Sequence, residues 1–333
     1  MPSASGQEPL LSVRDLTVSF VGHSQEAHAV RSVNFDVAAG ETIGIVGESG
    51  SGKSVTALAI MGLLAKNATV GGSIKLNGRE LVGMDRRSLR KIRGKQVGMV
   101  FQDPLTSLNP VIPIGKQLAE ALLIHNPGLS RRDARRRSVD LLQMVSIADA
   151  DRRLDSYPFE LSGGMRQRVM IAMAMSNDPS LLIADEPTTA LDVTIQAQVL
   201  EVLQGVQREH NIGVILITHD LGVIAGSADE VIVMYAGRVM EQASRHGLFG
   251  KPSHPYTEGL LGSLPQIDAA GQRLTAIAGQ PPSLIQPPSG CPFHPRCPHV
   301  MDRCISEMPA FLAVPGAEEH HSACWLMDPE IPA

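Results

Sequence analysis

Eight consecutive residues, Gly47-Glu48-Ser49-Gly50-Ser51-Gly52-Lys53-Ser54, have the types and spacing of a phosphate site, G-x-x-x-x-G-K-S. Glycines at these positions let successive backbone N–H groups turn inward around phosphate oxygens, and a following helix adds the positive end of its dipole. In that setting Lys53 bridges the outer phosphates and the Ser54 hydroxyl ligates magnesium. Further along, apolar runs end in polar residues suited to the same chemistry: Gln102, Asp185 with Glu186, and His219. Asp185 suits a carboxylate that holds magnesium through water. Glu186 beside it is the natural general base for an attacking water. The implied reaction is hydrolysis of a nucleoside triphosphate.

Another group of residues sits at the other end of the chain. Cys291, Cys297, Cys304 and Cys324 are the only cysteines, separated by five, six and nineteen residues. Four thiolates so clustered favour a metal site over disulfides in a cytosolic chain. Paired C-x2-C knuckles of the zinc-ribbon kind are lacking, and the longer gaps suit a larger object such as an iron–sulfur cluster. Zinc, or structural cysteines that hold no metal, are the alternatives. His294, His299, His320 and His321 lie close enough in sequence to substitute for a thiol.

The elements that must position these groups follow from hydrophobic patterning. Thr42–Val46, Gln96–Phe101, Leu181–Ala184 and Gly213–Ile217 are short apolar runs of buried-strand type, each followed by a site residue or the phosphate loop. Placing chemistry at the carboxyl ends of strands is how an open α/β sheet builds a site. Leu11–Phe20 and Val30–Val37 have strand composition, and Asn77-Gly78 marks a hairpin turn. Helical patterns cover the residues after Lys53, much of 114–147 with Ser130 as an N-cap, Met165–Ser176 and Val193–Glu209. The arginines at 131, 132, 135, 136 and 137 read as a solvated face, with contact to a partner protein or lipid headgroups as the alternative. Beyond about residue 251 the prolines become frequent and predict a loop-rich tail without long regular elements.

Composition narrows the function classes. A net charge of −5 and an aromatic fraction of 3% speak against nucleic-acid binding through a basic surface or stacking platform. No apolar run approaches the roughly eighteen residues of a membrane span, and the first residues lack a secretory pattern, so a cytoplasmic location is expected.

The joint order of phosphate loop, Gln102, Leu161-Ser162-Gly163-Gly164, Asp185-Glu186, Ala190-Leu191-Asp192 and Thr218-His219-Asp220 resembles the ATP-binding-cassette ATPase family over residues 10 to 245. Met165 stands where most members of that family have glutamine. The resemblance implies ATP sandwiched between the phosphate loop of one cassette and the Ser162–Gly164 signature of a second. It also implies Gln102 on magnesium and near the membrane partner, Asp192 across the dimer, His219 on the γ-phosphate, and Phe20 stacked on adenine.

Narrower stretches, Phe101 to Pro110, Met165 to Ala174 and His254-Pro255-Tyr256-Thr257, resemble the oligopeptide/dipeptide permease ATPases, some of which hold a [4Fe–4S] cluster in a similar tail. The expected fold is therefore α/β, a P-loop NTPase with a RecA-like core, an antiparallel β layer and a helical subdomain, followed by a cysteine-containing extension. The expected divisions are a tail at 1–9, a nucleotide-binding domain at 10–250 with its helical subdomain at about 104–165, and the extension at 251–333. The expected role is the ATP-hydrolysing subunit of an importer for di- and oligopeptides, peripheral on the cytoplasmic face of the cell membrane. Its expected partners are a second cassette, two membrane-spanning permeases and an extracytoplasmic peptide-binding protein. Uptake of nickel or another small solute, or a soluble cassette ATPase, are the competing expectations.

Overall fold

Buried apolar strands form where the sequence has uninterrupted β-branched and aliphatic runs. In the computed structural model, which describes residues 8–22, 25–189, 191–263, 277–317 and 319–330, Thr42–Val46, Leu181–Asp185 and Gly213–Ile217 are strands buried at every position. Of the tail expected at 1–9, residues 1–7 lie outside the described residues, as does Ala190.

The chain forms two compact units, interleaved in sequence. One is built chiefly from Leu76–Ile217 with Asp36–Thr42, and the other from Ser12–Phe35, Ile43–Lys75 and Thr218–Ala333.

In the first unit, Val97–Val100, Leu181–Asp185 and Gly213–Ile217 pair in parallel, in register Val97 with Leu181 and Leu181 with Gly213. Parallel pairing buries both faces, which is why these strands lack alternation. Helices Ile114–His125, Arg131–Met144 and Gly163–Ala174 pack on one another, and Val193–His210 packs on the last of these. Ser130 caps Arg131–Met144 as expected, its Oγ accepting the Asp133 N–H at 3.1 Å. Of the arginines on that helix, Arg135 forks onto Asp151 and Asp155 at 3.2 and 3.0 Å, and all five are exposed. The helix expected from Met165 begins two residues earlier, at Gly163. Glycine is a poor interior helix former, but in the first turn the Ser162 cap offsets that weakness.

In the second unit, Thr42–Val46 pairs in parallel with Glu230–Tyr235, which turns through Ala236-Gly237 into antiparallel Arg238–Ser244. Two segments of the proline-rich region extend that sheet. His321–Ser322 pairs with Arg238–Ser244, and Leu312–Ala313 pairs with His321–Ser322. Proline there does not exclude a helix at Pro255–Gly262 either, because Pro255 occupies the first helical position, where no N–H is needed. The fully buried Glu241 fastens this region. Its carboxylate accepts the N–H groups of Ser253 and His254 at 2.7 and 3.0 Å and meets His320 Nε2 at 2.7 Å.

Among the described residues no helix is long and apolar enough to cross a membrane.

Candidate functional site

The phosphate loop joins strand Thr42–Val46 to helix Lys53–Ile60 in the second unit. Gly47 and Gly52 lie at φ 149° and 103°, and a Cβ on Gly47 would strike the Met234 carbonyl, so neither position admits a side chain. Lys53 is buried, and its Nζ donates to the Gly47 and Glu48 carbonyls at 2.7 and 2.9 Å and lies 3.4 Å from Ser51 Oγ. The lysine thus folds back onto the carbonyls of its own loop. Ser54 follows in the first turn, half-buried, with its hydroxyl oxygen suited to a hard cation. Ser49 and Gly50 are exposed at the loop's tip, and Ser51 is buried. Glu48 points elsewhere, into a pair with Arg296 of the cysteine-bearing region.

Two more expected residues belong to this unit. His219 is exposed and follows Thr218, whose N–H donates to Ile45 O at 3.2 Å. Phe20 is half-buried near the end of strand Leu11–Val21 and takes no place in the core.

The first unit holds the carboxylates and the signature. Asp185 ends its strand with 7% exposure, the oxygen donor that a magnesium site needs. Glu186 follows with φ 48°, a left-handed conformation that a glutamate rarely adopts, and its N–H is held by Ile217 O at 2.8 Å. Its Oε2 accepts from Gln102 Nε2 at 2.9 Å and from Thr189 Oγ1 at 2.8 Å. The structure therefore brings Gln102 onto Glu186, a contact that the strand ends alone did not suggest.

Ser162 caps its helix, Oγ accepting the Met165 N–H at 3.3 Å, so the substitution at 165 leaves this backbone contact in place. Gly163 and Gly164 open the helix, and a Cβ on Gly164 would run into Ile195. Asp192 caps Val193–His210 through the Ile195 N–H at 3.0 Å.

The cysteines converge in the second unit. All four line one cavity with His254, His294 and His299, whereas His320 instead meets Glu241. Burial pushes the Cys291 thiol up to about 11 and Cys324 up to about 12, and neighbouring cysteines add to both shifts. Thiols in this setting become thiolates only with a cation to hold them. Among the described residues, no group of three or more His, Cys, Asp or Glu side chains closes around a point where a single ion would sit.

Similarity to known proteins runs through both parts. A family model described as ABC transporter matches residues 30–189, and one described as oligopeptide/dipeptide transporter, C-terminal region, matches residues 240–304. The oligopeptide transport ATP-binding protein OppD of Salmonella typhimurium (strain LT2) is 52% identical over 307 residues, covering 92% of this chain and 91% of that one. The chain belongs to the ATP-binding-cassette ATPases of the oligopeptide/dipeptide transporter family.

The dipeptide transport ATP-binding protein DppD of Bacillus subtilis (strain 168) is 50% identical to this cassette over 323 residues, 96% of each chain. A dimeric ATP-binding cassette solved in a post-hydrolysis state with ADP and Pi superimposes with a TM-score of 0.64. It is 28% identical and covers 71% of this cassette and 98% of its own chain. The expected α/β fold of a P-loop NTPase is thereby established. Sequence reasoning missed Thr189, Tyr256 and Arg296, the partners of Glu186 and Glu48. Thr189 is local to the carboxylate, three residues further on in the same turn. The other two are separated from Glu48 by more than two hundred residues and left no local trace.

Proposed function

We propose that this cassette hydrolyses ATP to drive uptake of di- and oligopeptides through a membrane complex. The observation that carries this reading is that likeness to OppD and DppD extends through the C-terminal region as well as the cassette. A nickel importer or a soluble cassette ATPase is the alternative reading. In the proposed reading residues 10–250 form the nucleotide-binding domain, with the helical subdomain at about 104–165, and 251–333 form the extension. The protein works at the cytoplasmic face of the cell membrane, beside a second cassette, two permeases and an extracytoplasmic peptide-binding protein.

The site residues take these roles. Backbone N–H groups of Gly47–Ser54 other than that of Glu48, which Tyr256 Oη accepts, bind the phosphates with the Lys53 ammonium, and Phe20 lies against adenine. Ser54, Gln102 and Asp185 would hold magnesium, which neutralises phosphate charge when bound. Glu186 Oε accepts the proton of the attacking water, with Gln102 and Thr189 fixing the carboxylate. His219 contacts the γ-phosphate. Ser162, Gly163, Gly164 and Asp192 serve the ATP held by the second cassette.

The four cysteines hold a [4Fe–4S] cluster in this reading, with zinc as the alternative. The four line one cavity, and their spacing lacks the paired C-x2-C knuckles of a zinc ribbon. Iron and sulfide analysis of protein purified without oxygen tests the assignment, and zinc with no iron would replace it.

Deleting the gene and measuring uptake of labelled di- and oligopeptides and of nickel tests the transport reading. Loss of peptide uptake with nickel uptake intact is expected. The reverse would overturn it.

A further inference from the structure

Arg296, in Pro295-Arg296-Cys297, reaches the phosphate loop. Its Nη1 and Nη2 donate to the two Glu48 carboxylate oxygens at 2.6 and 3.0 Å, the parallel pair of bonds that a planar guanidinium makes with a carboxylate. Nη1 also donates to Tyr235 Oη at 3.1 Å, Nη2 to Ile277 O at 3.2 Å and Nε to Ala278 O at 2.9 Å. A guanidinium has five N–H donors, and each has an acceptor here. The Arg296 side chain is 5% exposed, against 26% for Glu48. The same loop residue is gripped a second time, since the Glu48 N–H donates to Tyr256 Oη at 2.9 Å. Tyr256 is fully buried against Tyr235 and Phe293, with ring centroids 4.6 and 5.3 Å away.

Two physical consequences follow for the loop. Its glycines make it costly to order, and a non-glycine residue fixed at both backbone and side chain lowers that cost before any ligand arrives. A carboxylate within a phosphate-binding loop also repels a polyanion, and a buried guanidinium locked onto it removes the opposing charge. A guanidinium does not lose its proton within a protein, so this positive charge is permanent.

We propose that Arg296 is a positioning residue for nucleotide binding: from the cysteine-bearing region it holds and neutralises Glu48, so that the phosphate loop meets a triphosphate preformed and without an opposing charge. The proposal rests on the reading that Gly47–Ser54 binds the phosphates of ATP. An arginine serving stability alone would change the melting temperature without a specific effect on anion binding.

The test is equilibrium titration of the full-length chain with magnesium ATP at low and physiological ionic strength, with melting temperatures recorded in parallel. Arg296→Gln is expected to weaken binding about tenfold, most at low ionic strength, where charge is least screened. Adding Glu48→Gln to that variant should restore most of the loss, because the carboxylate that needed a counter-charge is gone. Glu48→Gln alone, with the native arginine in place, should bind at least as tightly as the wild type, and it decides the matter should Arg296→Gln fail to fold. Wild-type affinity in Arg296→Gln, or a loss of binding in Glu48→Gln, would overturn the proposal. Lys53→Ala separates the underlying reading. Its loss of binding upholds the phosphate loop independently of Arg296, and unchanged binding in it overturns both.

Discussion

Gln102 Nε2 donates to Glu186 Oε2 at 2.9 Å, joining the residues that follow two neighbouring parallel strands. Thr189 Oγ1 donates to the same oxygen at 2.8 Å, and Glu186 holds φ 48° while doing so. Strained backbone of this kind persists where its surroundings over-determine it, and here an N–H bond to Ile217 and two side-chain donors do so. The result is a carboxylate with a fixed direction, which a general base requires.

In the proposed reading Glu186 is the proton acceptor, and Glu186→Gln removes it while keeping the size and the capacity to hydrogen-bond. The rate of ATP hydrolysis should fall by about 100-fold or more, with ATP affinity retained. Single-turnover hydrolysis beside equilibrium ATP binding checks this. Turnover near that of the wild type would remove Glu186 from the role.

Gly164 lies where helix Gly163–Ala174 meets Ile195, and a Cβ there overlaps that side chain. Gly164→Ala should destabilise by about 1–3 kcal/mol, the usual range for overpacking, and Ile195→Ala in the same chain should recover part of it. Denaturant unfolding of the single and double variants measures both effects. Additive losses would show that the contact is not the cause.

Glu241 is fully buried with three donors converging on it, from Ser253, His254 and His320. Glu241→Ala leaves those donors unpaired and should cost about 3 kcal/mol or more. Glu241→Gln recovers little, because its amide N–H2 faces a donor. Thermal melting combined with limited proteolysis should show cleavage beyond Lys251 becoming faster. Proteolysis unchanged in both variants would mean that the extension is fastened elsewhere.

His254 is buried, and burial lowers its pKa to about 4 from an ordinary 6.5. Its Nδ1 accepts the Tyr256 N–H at 3.0 Å, a role that asparagine can copy. The folded protein resists the proton that the unfolded chain accepts, so the contribution to stability is complete above pH 6.5. It is lost as pH falls from 6.5 towards about 4, amounting to about 3 kcal/mol at most. Melting temperature should therefore drop more steeply across that window in the wild type than in His254→Asn. Identical slopes would assign the acid sensitivity to other groups.

Local sequence determined the pieces of this protein whose physics is local. A glycine loop between an apolar run and a helix identifies itself, as do the buried parallel strands, whose continuous apolar character is the requirement of a strand covered on both faces. The Ser130 cap is equally legible, because its partner is three residues away. Tertiary structure alone decided what distant segments do to one another. The strands Leu312–Ala313 and His321–Ser322 are too short to show any period and exist because a sheet edge at Arg238–Ser244 offers them hydrogen bonds. Nothing beside Glu241 in the sequence marks it for burial, yet Ser253, His254 and His320 fold over it. Glu48 reads as a polar residue of a loop, and its charge acquires meaning only when Arg296, 248 residues later, closes on it. Spacing carries information about groups that share a helix turn or a strand end. Pairing between groups so far apart in sequence is fixed by packing, which no local pattern encodes.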